Sequence, residues 1–186
     1  QHLLGLAQAF PFFDDRACVH EIERELRSWM EQNPFQRGIN WSSALEVAFR
    51  AMSWLWVLHL AGPQLSDDLR RSMLEGLYHH GLHIEKNLSF YFSPNTHLLG
   101  EAVALHALGA LVPGLPGARQ WKQKACRIVE EQMQAQVRDD GSHFEQSSYY
   151  HVYALDMLLF HAVLSNPSSA YQAKLASMAD YLDALL

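Results

Sequence analysis

Seven segments with apolar residues at helical spacing follow one another along this chain, and runs that alternate apolar and polar residue by residue are nearly absent. That pattern leaves a sheet nothing to be built from and predicts an all-α fold. The segments fall at about 15–32, 42–61, 65–87, 96–111, 117–138, 147–165 and 168–186. Helix-breaking pairs separate them: Asn33-Pro34, Gly62-Pro63, Ser93-Pro94, Pro113-Gly114, Asp140-Gly141 and Asn166-Pro167. Ser43, with Glu46 three residues on, reads as a capping box for the second segment.

A weak repeat lies beneath this pattern. "GINWSSALEVA", "SPNTHLLGEAVAL" and "FEQSSYYHVYALDML" each set a polar-aromatic cluster just before an apolar helix, and Trp41, Asn95 and Tyr149 are spaced by 54 residues. A helix hairpin has about that length, and repeats of this size build solenoids or closed toroids. Alternate helices then form inner and outer layers. The helices at 42–61, 96–111 and 147–165 become equivalent, with their N-termini on one face. Three helix starts on one face offer unpaired N–H groups and positive dipole ends, which suit a carboxylate or sulfate.

The bulk numbers narrow the class. A length of 186 residues suits a single helical domain over 1–186 with a sizeable core. Apolar residues at 49% and charged residues at 18% are the composition of a globular chain. The formal charge of −6 lacks the general basic footprint of a nucleic-acid binder. No continuous apolar run reaches the roughly 18 residues of a membrane span, and "AMSWLWVLHLAG" reads as a core helix. Cys18 and Cys126 fit no metal spacing; they either pair in an oxidising compartment or serve as small buried apolar residues. The chain starts at Gln1 with no charged segment before an apolar one, and a helical pattern still runs at "MADYLDALL". Both features point to a processed or excised piece of something longer.

Three clusters carry candidate chemistry. In the first, Asn95 is either a helix cap or an amide donor to a substrate oxygen, and His97 is a donor or proton carrier. Glu101, four residues on, shares its face and is placed to orient it. In the second, "DDGSHFEQSSYYHVY", an Asp140-Gly141 turn leads through His143 and Glu145 to Tyr149, Tyr150, His151 and Tyr153. A tyrosine near positive dipole ends suits acid or base work; aromatic packing is the alternative. In the third, "FQRGINW", Arg37, Asn40 and Trp41 suit a sugar and its acid group, with core packing equally open for the indole. His79 and His83 share a helix face but lack a third metal ligand, which leaves a solvated helix end as the better account.

These clusters, in this order, resemble the helical N-terminal part of the heparinase II/III-like polysaccharide lyases. The resemblance rests on "GINWSSALEVAFRAMSWLW", "NLSFYFSPNTHLLGEAVALHALG", the tryptophan of "ARQW" and "DGSHFEQSSYYHVYALDM", and covers roughly residues 33–165. It implies an incomplete (α/α) toroid of antiparallel helix hairpins, followed in the full-length chain by a C-terminal β-sandwich domain. It also implies β-elimination on a uronate-containing polysaccharide such as heparan sulfate or alginate, without metal or organic cofactor, in the periplasm or outside the cell. By the same resemblance Asn95 neutralises the uronate carboxylate, Tyr150 exchanges a proton with the sugar, and His97 is the nearest match to a histidine of this segment. Arg37, Asn40, Trp41, Glu101, His143, Glu145 and His151 then shape the sugar subsites. A further family histidine comes from the β-sandwich. Two rivals stand beside this reading. One is a glycoside hydrolase on a related helical toroid using Glu101 and Glu145, with Asp139 or Asp140 as substitutes. The other is a glycan-binding toroid without turnover.

Overall fold

Each of the seven periodic segments folds as an α-helix, with ends within about three residues of those expected. The computed structural model describes residues 2–13, 16–91 and 94–185, and of Phe12 and Phe13 only the backbone; Ser93 of the expected Ser93-Pro94 break lies outside the described residues. The helices are α1 (His2–Phe13), α2 (Arg16–Gln32), α3 (Ala44–Ala61), α4 (Asp67–Lys86), α5 (Thr96–Leu111), α6 (Ala118–Gln136), α7 (Ser148–Leu164) and α8 (Ser169–Asp183). Short 3-10 turns occupy Ile39–Trp41 and Gly62–Gln64. Among the described residues there is no strand, only an isolated bridge between Val137 and His143.

Helix α1 was not expected. "HLLGLAQAFPFF" is apolar almost all round and contains Gly5 and Pro11, so it shows no stripe and carries two helix-breaking residues. Tertiary packing overrides both, because α1 lies against α2 and α3.

The chain divides at Asn87 and Leu88 into two compact units. In the first, α3 packs on α1 and α4, and α2 reaches α4. The stretch Ala44–Gln64 is long and apolar enough, at mean hydropathy 1.2, to cross a membrane by length and composition. Its apolarity is that of a core helix, with Val47, Ala48, Ala51 and Val57 fully buried. Between α2, α3 and α4 lie Trp29, Trp41, Trp54 and His80, with Trp29 and Trp54 edge to face at 5.5 Å. The Arg50 guanidinium sits over Trp29 and Trp41, 4.4 and 5.0 Å from the ring centroids. Arg50 Nε donates to His80 Nε2 at 2.9 Å, and His80 Nδ1 donates to the Gly76 carbonyl at 2.6 Å. Burial pushes the His80 pKa down to about 3, so this ring is neutral.

In the second unit α5 is the central helix, flanked by α6 and α7, while α8 meets α7 and α6. Its residues from Leu98 to Gly109 are buried on every side. Gly109 permits the α5–α6 crossing: a Cβ there would run into the Ala118 carbonyl oxygen and lie 2.7 Å from the Lys122 backbone nitrogen. The α6–α7 turn is built as the sequence indicates. Gly141 takes φ 83°, and Asp140 Oδ1 accepts from the Ser142 backbone N–H at 2.9 Å and its hydroxyl at 2.7 Å. Lys174 of α8 ties this turn down by donating to the Val137 carbonyl at 2.5 Å. Cys18 and Cys126 are both free thiols, half-buried on α2 and α6.

Candidate active site

The repeat is visible as helix caps. Ser43, Asn95 and Ser147 are the N-caps of α3, α5 and α7, each with its side-chain oxygen accepting from a backbone N–H of the first turn. They stand 52 residues apart (43, 95, 147), which replaces the spacing of 54 taken from Trp41, Asn95 and Tyr149. Trp41 and Tyr149 are therefore neighbours of the caps rather than counterparts of Asn95.

Asn95 Oδ1 accepts from the His97 N–H at 3.0 Å and lies 3.2 Å from His97 Nδ1, and both side chains are half-buried. The cap employs the oxygen of the amide. A carboxylate would employ its nitrogen, so capping and anion binding fall on opposite ends of one side chain.

Tyr150 enters from the neighbouring helix. Its backbone N–H donates to the Ser147 hydroxyl at 3.4 Å, fixing it in the first turn of α7. Its ring is 41% exposed and packs edge-on against Tyr149 and Tyr153, at 5.8 and 6.3 Å. α5 and α7 pack together, and their C-terminal halves meet at His106 and His161, whose rings are 4.5 Å apart. Asn95 and Tyr150 each precede a member of that touching pair by eleven residues (95 to 106, 150 to 161). Eleven residues is close to three helical turns, which places Tyr150 of α7 and the Asn95 cap of α5 each about 16 Å along its helix from the histidines. The second unit thus carries an amide and an imidazole at the start of α5 and a phenol at the start of α7, on two helices that pack together.

Other expected site residues are placed differently. Glu101 is 1% exposed, and its carboxylate accepts from the Ser89 backbone N–H and hydroxyl, both at 2.7 Å. It fastens the segment before α5 to the helix and is too deeply buried to meet a sugar, while its charge still acts on His97. Burial raises its pKa and the Ser89 bonds oppose that shift. Trp41, in the first unit, is 6% exposed, with its indole N–H donating to the Asn33 carbonyl at 3.2 Å and its ring covered by Phe35, Trp29 and His80. No face of it is open to a sugar, because the aromatic core occupies both. Arg37 and Asn40 are exposed beside it, Asn40 donating to Asn33 Oδ1 at 2.5 Å. His83 packs on Trp41 at 5.6 Å and His79 stacks on Phe35 at 4.4 Å, so neither belongs to a solvated helix end.

Three further residues surround the start of α7. His143 is buried, its Nε2 donating to Gln136 Oε1 at 3.0 Å, and burial holds its pKa down. Glu145 Oε2 is buried without a hydrogen-bond partner, 3.8 Å from His143 Nδ1. His151 donates from Nε2 to the Met178 carbonyl at 2.9 Å. His143 and His151 form part of the wall of a polar cleft of about 460 Å³, together with Arg138, Ser142 and Ser148.

A family described as the heparinase II/III N-terminus matches residues 2–183. A heparin-sulfate lyase of Bacteroides stercoris is 29% identical over 100 residues, 54% of this chain and 15% of that protein. The heparin-sulfate lyase of Bacteroides thetaiotaomicron is 36% identical over 62 residues, 33% of this chain and 9% of its own length. Among solved structures, heparinase III superposes with TM-score 0.82 at 20% identity, over 97% of this chain and 29% of that one. Heparan sulfate lyase from Pedobacter heparinus gives 0.78 at 20%, over 97% and 30%. The chain spans under a third of these solved chains and at most 15% of the curated relatives it matches. The likeness to the solved structures shows the fold, an all-α incomplete (α/α) toroid of antiparallel helix hairpins.

Proposed function

The chain belongs to the heparinase II/III N-terminal family, and on that premise we propose that it is the helical part of a polysaccharide lyase. It acts by β-elimination on a uronate-containing polysaccharide, heparan sulfate before alginate because the matched relatives are heparin-sulfate lyases. A C-terminal β-sandwich completes the site in the full-length protein and supplies a second histidine. Polymers of this size place the activity in the periplasm or outside the cell.

The C5 proton of a uronate is only weakly acidic while the neighbouring carboxylate keeps its charge. Asn95 Nδ2 donates to that carboxylate and His97 adds a second donor, at the positive end of α5, so charge developing on the acid group is stabilised. The Tyr150 phenol exchanges the proton. The C5–H and C4–O bonds break, a C4–C5 double bond forms, and the proton ends on the leaving glycosidic oxygen. Glu145 accepts from sugar hydroxyls, and His143 and His151 shape the subsite beside α7; Arg37 and Asn40 are the exposed polar residues that the first unit offers to a sugar. Asn95 carries this reading: its oxygen is held by the helix it caps, and its nitrogen is the end that suits a carboxylate. Hydrolysis by Glu101 and Glu145 is disfavoured, since Ser89 holds both oxygens of Glu101 in a buried position.

The test is ultraviolet absorbance of the unsaturated uronate product, followed on heparin, heparan sulfate, alginate, hyaluronan and chondroitin, for this chain alone and within its complete lyase. The expected result is a rise on heparan sulfate that Asn95→Ala and Tyr150→Phe abolish. Reducing ends without absorbance would mean hydrolysis, and binding without either product would mean a glycan-binding domain.

A further inference from the structure

Three side chains from three different helices meet in the interior of the second unit, away from the helix starts discussed above. His106 of α5, Cys126 of α6 and His161 of α7 bring their donor atoms within 4.8 Å of one another. Both imidazoles are 1% exposed. Both ring nitrogens of His106 and Nε2 of His161 are buried without a hydrogen-bond partner, which is costly for polar atoms in a core. The remaining nitrogen of His161 shows how the ring is set. The Tyr171 hydroxyl donates to the Leu158 carbonyl at 3.0 Å, so it accepts from His161 Nδ1 at 3.2 Å. That relay fixes the proton on Nδ1 and leaves a bare lone pair on Nε2, the tautomer that outer hydrogen bonds impose on metal-ligating histidines.

We propose that His106, Cys126 and His161 form a zinc site that ties α5, α6 and α7 together. Two imidazoles and a thiolate are the nitrogen and sulfur donors that Zn²⁺ prefers, and a water completes the tetrahedron. Donor atoms around tetrahedral zinc stand about 3.5 Å apart, so the cluster needs to contract by roughly an ångström. On binding, Cys126 releases its proton to solvent and its sulfur bonds the metal, while the imidazoles enter neutral. Lys122 and Glu130, one turn to either side of Cys126 on α6, carry opposite charges, so the net charge beside the site comes from the ion and the thiolate.

The site is tested with Co²⁺ and Zn²⁺ on the purified protein. One equivalent of Co²⁺ should give the visible bands of tetrahedral cobalt and a thiolate-to-cobalt band in the near ultraviolet, and Zn²⁺ should bleach both. Cys126→Ser should lose the thiolate band, and Zn²⁺ should raise the melting temperature of the native chain but not of this variant. A readout that needs no variant is alkylation: Zn²⁺ should protect Cys126 by tenfold or more while Cys18 continues to react. Absence of the thiolate band from folded native protein, uptake unchanged in Cys126→Ser, or alkylation of Cys126 insensitive to Zn²⁺ would each overturn the proposal and leave a hydrated polar pocket.

Discussion

At the level of single residues, Asn95 carries two duties that substitutions can separate. Asn95→Ser retains a good cap and lacks the amide donor, so elimination should fall about 10²- to 10³-fold with the melting temperature unchanged. Asn95→Ala should lose the same activity and about 1 kcal/mol of stability as well, read in paired melting and absorbance assays. Ser89→Ala removes one of the two donors to a buried carboxylate. It should cost about 1–3 kcal/mol in a urea titration, more than an exposed serine substitution would. The sequence shows the polar helix entry at Asn95 and the tyrosine pair at Tyr149 and Tyr150, because capping and aromatic patterns are local. It does not show that Glu101 faces Ser89, since the two are twelve positions apart and do not share a helix. Trp41 misleads for a related reason: a tryptophan before a helix looks the same whether its ring meets a sugar or, as here, Phe35 and Trp29.

Elements are the most legible scale. Amphipathic spacing, breakers and caps are short-range signals, and they place seven of the eight helices among the described residues. The exception, α1, has no stripe because it is apolar on nearly every side, and only packing on α2 and α3 holds it despite Pro11. Helix crossings are illegible, and Gly109 is the example. Nothing in "LHALGALVPG" marks its fifth residue as the point where α6 comes within backbone contact. Gly109→Ala should therefore destabilise by about 1–3 kcal/mol through overpacking. Gly5→Ala, in a helix with open space around the new methyl, should stabilise by about 0.4–1 kcal/mol. Opposite shifts of the urea midpoint check the pair; equal shifts would mean that the α5–α6 crossing yields to a methyl group. The proposed zinc ligands escape a sequence reading in the same way, since His106, Cys126 and His161 sit on three helices and match no short spacing.

The whole molecule should be acid-sensitive. Burial holds five imidazoles, those of His80, His83, His106, His143 and His161, below the ordinary histidine range. In the unfolded chain they titrate near pH 6.5. The folded values lie lower, so their contribution is complete above about pH 6.5 and is lost as pH falls, because the unfolded chain takes up protons that the fold refuses. The loss levels off only near the folded values, about 3 for His80 and about 4 for His106 and His161. Each group contributes at most about 1.4 kcal/mol per pH unit, and Glu101, shifted upward by burial, opposes them. Melting temperature should be flat above about pH 7 and fall steeply below about pH 6; a flat profile down to pH 4.5 would contradict these burials. The caps at Ser43, Asn95 and Ser147 bear on how such a molecule changes over evolutionary time. An interval of 52 residues carries one full hairpin from cap to cap (43, 95, 147), the length that a repeat unit of such an array has. Gene segments gained or lost in whole multiples of it leave every capped helix starting on its own cap. Lengthening by any other amount puts a helix start out of phase with its cap, so this lineage is expected to vary in length by steps.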